Sequence, residues 1–373
     1  MPNSFINIKE IARRSLERLQ ENIVFPQLIY RDYSGDFVNG KGETIQIRKP
    51  VVLNAEDFVS TVTPQGIEER SIDVTLDTIS DVTVEYTAIQ ETVNMGDGAL
   101  NRQFIEPAAA TLAEHINGKG LALAADIPYI CGTAGTTPST LEAFASAAEV
   151  LDENKVPTTM RRGIWNPAAL AKFRQIGDIV NANKSGTTEA LRAGSIGNIF
   201  GIDNYMAQGV KKFTSGVTES SAVKPSAAAS VGATTISLTG TTLAGKLVKG
   251  DVLTILGNTY VVTEDTAAAS SNAIANVKIY PALKKAITTA TNVAITPSHT
   301  MNLVFHQNAF AFVTRPLATP AGAESYVVSD SAGGLSLRVV RQYDISTKKD
   351  MFSMDILYGY KTIYPELAVR VMG

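Results

Sequence analysis

Apolar residues near the start of the chain recur at Ile8, Ala12, Leu16, Leu19 and Ile23. These steps of four, four, three and four line one face of a helix beginning near Ser4. Lys9, Glu10, Arg13, Glu17 and Arg18 take the opposite face, and Pro26 ends the pattern. Such a stripe either packs on its own domain or forms an arm reaching a neighbouring subunit. From Gly35 to Tyr86 the period drops to two. Ile45 and Ile47, then Ile72, Val74 and Leu76, then Val82, Val84 and Tyr86 alternate with polar residues and predict three half-buried strands. Between the first two, residues 49–70 carry Pro50, Pro64, Gly66 and the charges Glu56, Asp57, Glu68, Glu69 and Arg70. A compact domain seldom holds so long a structureless loop, so the segment reads as one long hairpin projecting from the body. Two-stranded hairpins are marginal in water, and this one is expected to gain stability by lying on another chain.

Residues 104–127, rich in Ala and Leu, predict a long helix or a broken pair, with Pro107 near its start and Gly118 and Gly120 weakening its middle. After the linker CGTAGTTPST a helix is expected over 141–153, a short strand over 162–165, and a further helix through Phe173, capped by Asn166 and opened by Pro167. Residues 193–206 are punctuated by glycine, with Ile196, Ile199 and Ile202 alternating. The texture then changes: 86 residues from 215 to 300 hold two aromatics, Tyr260 and Tyr280, whereas the final 73 residues hold nine. That contrast, with short strands expected at 235–238, 252–256, 259–263, 275–280 and 292–296, marks a small all-β module inserted into a larger domain. Strong strands return at 303–314, 336–343 and 353–371, the last ending in the single run LYGYKTIYPELAVRV.

At about 150 residues per domain, 373 residues predict two or three structural units. Lys and Arg total 33 against 36 Asp and Glu, a formal charge of −3, which excludes a globally basic nucleic-acid binder. A hydrophobic content of 45% excludes wholesale disorder. Cys131 is the one cysteine, so no intrachain disulfide framework exists. Charges at Lys9, Glu10, Arg13 and Arg14 stand where a secretory signal would be apolar. No stretch of about 18 apolar residues predicts a membrane-spanning helix.

Titratable groups are sparse, and the patterns that resemble active sites fail on context. Gly240 to Lys246 reads GTTLAGK, the spacing of a phosphate loop, but Leu247 replaces the metal-binding hydroxyl and a strand follows instead of a helix. Ser195 in AGSIG has Ala193 where a nucleophile elbow needs glycine. His115 has no second histidine four residues on, and His299 and His306, seven apart on a strand, point to opposite faces. Cys131 lacks a nearby cation and reads as a small buried thiol. The carboxylate pairs Glu56 with Asp57, Glu68 with Glu69 and Asp73 with Asp77 read as solvated or interfacial charge. No catalytic, metal-binding or cofactor-binding residue is assigned, and no cofactor is expected.

The order of these elements resembles the major capsid protein of tailed bacteriophages, an α+β fold of the Hong Kong type shared with encapsulins and the herpesvirus shell floor. GETIQIRKP at 42–50 with SIDVTLDTISDVTVEYT at 71–87 resembles its extended loop and return strand. NPAALAKF at 166–173, LRAGSIGNIFGIDNYMA at 191–207 and NLVFHQNAFAFVTRPLA at 302–318 resemble its axial domain. The closing residues 335–371 resemble its peripheral strands, and LVKGDVLTILGNTYVV at 247–262 resembles the core of a β-barrel insertion found in some of these coat proteins. The resemblance implies an N-terminal arm over 1–34, an extended hairpin over 35–78, a peripheral domain with a spine helix over 79–130 completed by 319–373, an axial domain over 131–220 continued by 301–318, and a barrel over 221–300.

It further implies a non-enzymatic chain that assembles into pentamers and hexamers of a virion head around double-stranded DNA, built in the bacterial host cytoplasm. The expected partners are further copies of itself, a separate scaffolding protein, a portal protein and DNA touched non-specifically, with no membrane. Arg48, Lys49, Glu56, Asp57, Glu68, Glu69 and Arg70 are the expected inter-subunit contacts. Lys41 and Lys49 are candidates for the lysine of a covalent crosslink, but no Asn follows Tyr364 to complete the family's constellation. An encapsulin-like compartment is the alternative, and the β insertion argues against it.

Overall fold

In this computed structural model, residues 8–32, 44–49, 70–87, 106–181, 192–217, 223–329 and 334–373 are described. The chain divides into two compact units, each assembled from several stretches.

The first unit joins residues 1–23, 30–113 and 311–363. Its helix Ile8–Asn22 buries Ile8, Ile11, Ala12, Leu16 and Leu19 and packs on the strands Glu324–Ser329 and Ser336–Asp344. The stripe therefore serves this chain's own sheet; the expected start near Ser4 lies outside the described residues. The helix ends at Asn22, ahead of Pro26, which opens a separate short helix, Phe25–Leu28. At the centre of the sheet, Lys349–Thr362 pairs antiparallel with Ser336–Asp344 on one edge and with Thr78–Thr87 on the other. Phe352, Met354, Ile356 and Tyr358 are buried along it, the two-residue rhythm of a strand with one face in the core. Strands Thr44–Lys49 and Arg70–Thr75 form a separate antiparallel pair, in register from Thr44↔Thr75 to Lys49↔Arg70.

The second unit joins residues 24–29, 114–310 and 364–373. Asn117 caps the helix Phe25–Leu28 by accepting from the amides of Val24 and Phe25 at 3.1 and 3.2 Å. A seven-stranded mixed sheet runs in the order Ile130–Gly132, Ala368–Met372, His299–His306, Arg161–Trp165, Ile202–Met206 and Asn198–Ile199, with Lys212–Phe213 added beside His299. Helices Glu142–Glu153 and Pro167–Phe173 supply Phe144, Leu151, Leu170 and Phe173 to the core shared with Trp165 and Val304. Asn166 caps the second of these as expected, its side chain accepting from the Ala169 amide at 3.0 Å. The inserted module is a six-stranded antiparallel sheet, ordered Val293–Ile295, Val252–Ile255, Asn258–Val262, Ala273–Tyr280, Thr235–Thr239 and Lys224–Pro225. A bridge from Val223 to Val293 joins its two ends and closes it into a barrel. The interior is aliphatic apart from Tyr260, whose hydroxyl accepts from the Lys284 amide at 3.1 Å.

Three expectations differ from the structure. The run expected over 353–371 is two strands, Lys349–Thr362 and Ala368–Met372, separated by the 3-10 turn Pro365–Leu367. Proline has no amide to continue the ladder, and the two strands enter different sheets. Likewise 303–314 divides at Gln307–Ala309 into His299–His306 and Phe310–Arg315. As a result residues 311–318, expected with the axial domain, lie in the first unit, while 114–130 and 364–373, expected with the peripheral domain, lie in the second. The strands Lys224–Pro225 and Glu324–Ser329 carried no recognised alternation.

Phe144 meets Trp165 and Phe173 with ring centroids 5.0 and 4.5 Å apart. Phe144→Ala is expected to lower stability by about 3–5 kcal/mol, read as a lower urea midpoint at unchanged slope; a loss under about 1 kcal/mol would mean the cluster does not hold this unit.

Candidate functional site

The structure disperses the groups that might have formed an active centre. Lys246, at the end of GTTLAGK, pairs with Asp265 at 2.8 Å, and the loop is followed by the strand Val252–Ile255. Ser195 lies exposed in irregular backbone. His115 is exposed on the helix Glu106–Leu121. Cys131 lies on the strand Ile130–Gly132, and burial pushes its thiol up to about 12, the opposite of an activated nucleophile. Asp73 and Asp77 are exposed. No cluster with metal-ligand composition occurs among the described residues, and no described helix is long and apolar enough to cross a membrane. An open cleft of about 390 Å³ between Thr133, Pro138, Thr140 and Met372 offers mostly hydroxyls.

The hairpin strands Thr44–Lys49 and Arg70–Thr75 present most of their described side chains to solvent. On the first strand Thr44, Gln46 and Arg48 are exposed, Ile45 is half-buried and Ile47 is buried. Val74 is fully buried on the return strand. Arg48 faces Ser71 in the register, and Lys49 faces Arg70. Glu56, Asp57, Glu68 and Glu69 lie outside the described residues, as does Lys41. The base of the hairpin rests on Gly359: a Cβ added there would meet the Thr75 carbonyl oxygen and Val313. This position in LYGYK is glycine because two backbones approach too closely for any side chain.

Sequence reasoning missed the buried charges that organise each unit. Arg338 reaches Asp355 with two nitrogens, at 3.0 and 2.5 Å, and donates to the Ala318 carbonyl at 2.7 Å. Arg161, 3% exposed, contacts Asp152 at 2.6 Å and the carbonyls of Val156 and Pro157. Arg370 is fully buried, and desolvation lowers its pKa to about 10 against the pull of Asp126 and Asp251. Burial raises Asp251. His299 and His306 are both lowered, first by burial and then by arginines: Arg370 for the former, Arg161 and Arg162 for the latter. The available signal was an arginine inside an apolar run such as AVRVM: Ala368–Met372 is buried at every position, Arg370 included.

Comparison with known proteins adds the following. Residues 241–373 match the family model described as P22 coat protein, gene protein 5. A chain of Mycobacterium phage Che8 aligns at a TM-score of 0.55 and 16% identity, covering 94% of this chain and 90% of that one. The capsid structure of cyanophage P-SCSP1u aligns at 0.52 and 14% identity, covering 100% and 90%. The asymmetric unit of the bacteriophage PhiM1 mature capsid aligns at 0.50 and 9% identity, covering 100% and 89%. No curated protein matches the sequence. At these identities the structural likeness is one of fold.

Two expectations follow from the site. Gly359→Ala should push the hairpin base off the sheet, costing about 1–3 kcal/mol and speeding amide exchange across Arg70–Thr75; unchanged exchange there would refute the close-approach argument. His299 and His306 bind protons less readily folded than unfolded, so the stability they confer is complete above the ordinary imidazole value of about 6.5 and is lost as pH falls below it. The melting temperature should fall between about pH 7.5 and about pH 5, and a smaller fall is expected in His299→Gln; a flat profile would contradict the assignment.

Proposed function

We infer that this chain, folded as tailed-phage capsid proteins are and matching the P22 coat protein model over residues 241–373, is a phage major capsid protein. It is a structural protein of the virion, and many copies close into pentamers and hexamers of an icosahedral head around double-stranded DNA. The observation that carries the reading is the match over 241–373, which takes in most of the inserted barrel, Ala368–Met372 and the central strand of the first unit's sheet, Lys349–Thr362. An encapsulin-like shell is not favoured, because the matching model is that of a phage coat.

The mechanism is geometric. A head-to-tail contact repeated around a closed ring gives pentamers or hexamers without any symmetric patch. Two-stranded hairpins are marginal in water, and this one gains stability by lying across an adjacent copy. There the charges Arg48, Lys49, Glu56, Asp57, Glu68, Glu69 and Arg70 pair across subunit boundaries. Each such pair contributes little, about 0–1 kcal/mol, but recurs in every copy. A separate scaffolding protein guides closure in the host cytoplasm, a portal protein occupies one vertex, and the net charge of −3 suffices for DNA touched non-specifically at many points.

Negative-stain microscopy of the expressed protein, alone and with its scaffolding protein, tests this reading: closed shells or rings of capsomers are expected, and dispersed monomer under both conditions would overturn it. Deleting residues 51–65 should leave folded, soluble chain that forms no shells, measured by circular dichroism and sedimentation. Normal particles from that deletion would sink the role given to the hairpin.

A further inference from the structure

The barrel meets the rest of its unit at a junction where the final residues of the chain do most of the holding. Arg370 donates from one terminal nitrogen to the Gly250 carbonyl at 2.9 Å, and from the other to the carbonyls of Ala125 and Ile127 at 3.1 and 2.8 Å. Its guanidinium stands 5.8 Å from the centre of the Phe213 ring. Gly250 has φ +99, and a Cβ there would come within 2.8 Å of the Ala125 side chain and 3.0 Å of Phe213, so the barrel loop touches the body through bare backbone. Charges cross the junction in complementary order. Lys249 of the barrel pairs with Asp126 of the body at 2.8 Å, while buried Asp251 of the barrel attracts Arg370 of the body. A second contact lies four residues earlier on the C-terminal segment: the Tyr280 hydroxyl donates to Glu366 at 2.6 Å.

We propose that the Arg370 side chain, carried on the last strand of the body's own sheet, is a catch that fixes the barrel to the body. The barrel keeps a core of its own, so its strands do not need the junction in order to persist. The junction is polar, and His299 Nε2 and Arg370 Nε are buried there without a hydrogen-bond partner. Unpaired buried groups weaken the junction, so the Arg370 contacts hold the barrel with a smaller margin than their number implies, while the strand that carries Arg370 stays part of the body core.

Hydrogen exchange on the full-length chain compares wild type with Arg370→Met and Arg370→Lys. In Arg370→Met the amides of 246–251 should exchange about a hundredfold faster, while Asn258–Val262, Ala273–Tyr280 and Ala368–Met372 keep their protection; Arg370→Lys should lie between. Unchanged junction amides, or loss of protection in barrel and junction together, would overturn the catch. Tyr280→Phe removes the second contact without leaving a buried charge, and should speed the same junction amides by up to about tenfold should Arg370→Met fail to fold; no change there would equally count against the catch.

Discussion

Each of the two large sheets is completed by one half of the last stretch of the chain. Lys349–Thr362 is hydrogen-bonded on both edges in the first unit, and Ala368–Met372 lies between Ile130–Gly132 and His299–His306 in the second. Interior strands cannot be added to a finished sheet, because their neighbours have nothing to pair with until they arrive. Both cores therefore wait for residues near position 373, and pairings such as Arg370 with Ile130 span most of the chain. Contacts so distant in sequence make folding slow and leave strand edges open meanwhile. The barrel is the exception, since its six strands and its closing bridge all lie within residues 223–295.

Composition acquires a physical meaning against this architecture. Several of the nine aromatics of the final 73 residues build the large cores, as in the contacts among Phe305, Phe310 and Phe25 and among Phe312, Tyr358 and Tyr360, whereas Tyr343 is exposed. The barrel interior is narrow and fills with Val, Ile and Leu around Tyr260, which explains why two aromatics suffice for residues 215–300. The protein's fully buried charges, Arg370 and Asp251, are spent on holding parts of the chain together.

The alternation of apolar and polar residues read correctly wherever one element had one neighbour environment: the helix Ile8–Asn22, the hairpin strands, the Asn166 cap and five of the barrel strands. It failed at 353–371, where two strands of the same period follow each other and Pro365 alone marks the break. It failed also at Glu324–Ser329, whose side chains are all half-buried or exposed and so show no buried face to detect. Of the candidate contact residues, the structure places Arg48 exposed and in register at the hairpin, Lys49 and Arg70 opposite one another, and leaves Glu56, Asp57, Glu68 and Glu69 outside what it describes.

By itself, then, the sequence determined the local elements, the presence of an inserted β module, the absence of a disulfide framework and the order of parts that resembles a phage coat. These follow from period, turn chemistry and composition, which act over a few residues. Tertiary structure alone decided which sheet each strand joined, why position 359 must be glycine, and that Arg370 reaches three backbone carbonyls at the base of the barrel. Those depend on what stands within a few ångströms in space, and residues 125, 250 and 370 meet there with no local pattern in the chain to announce it.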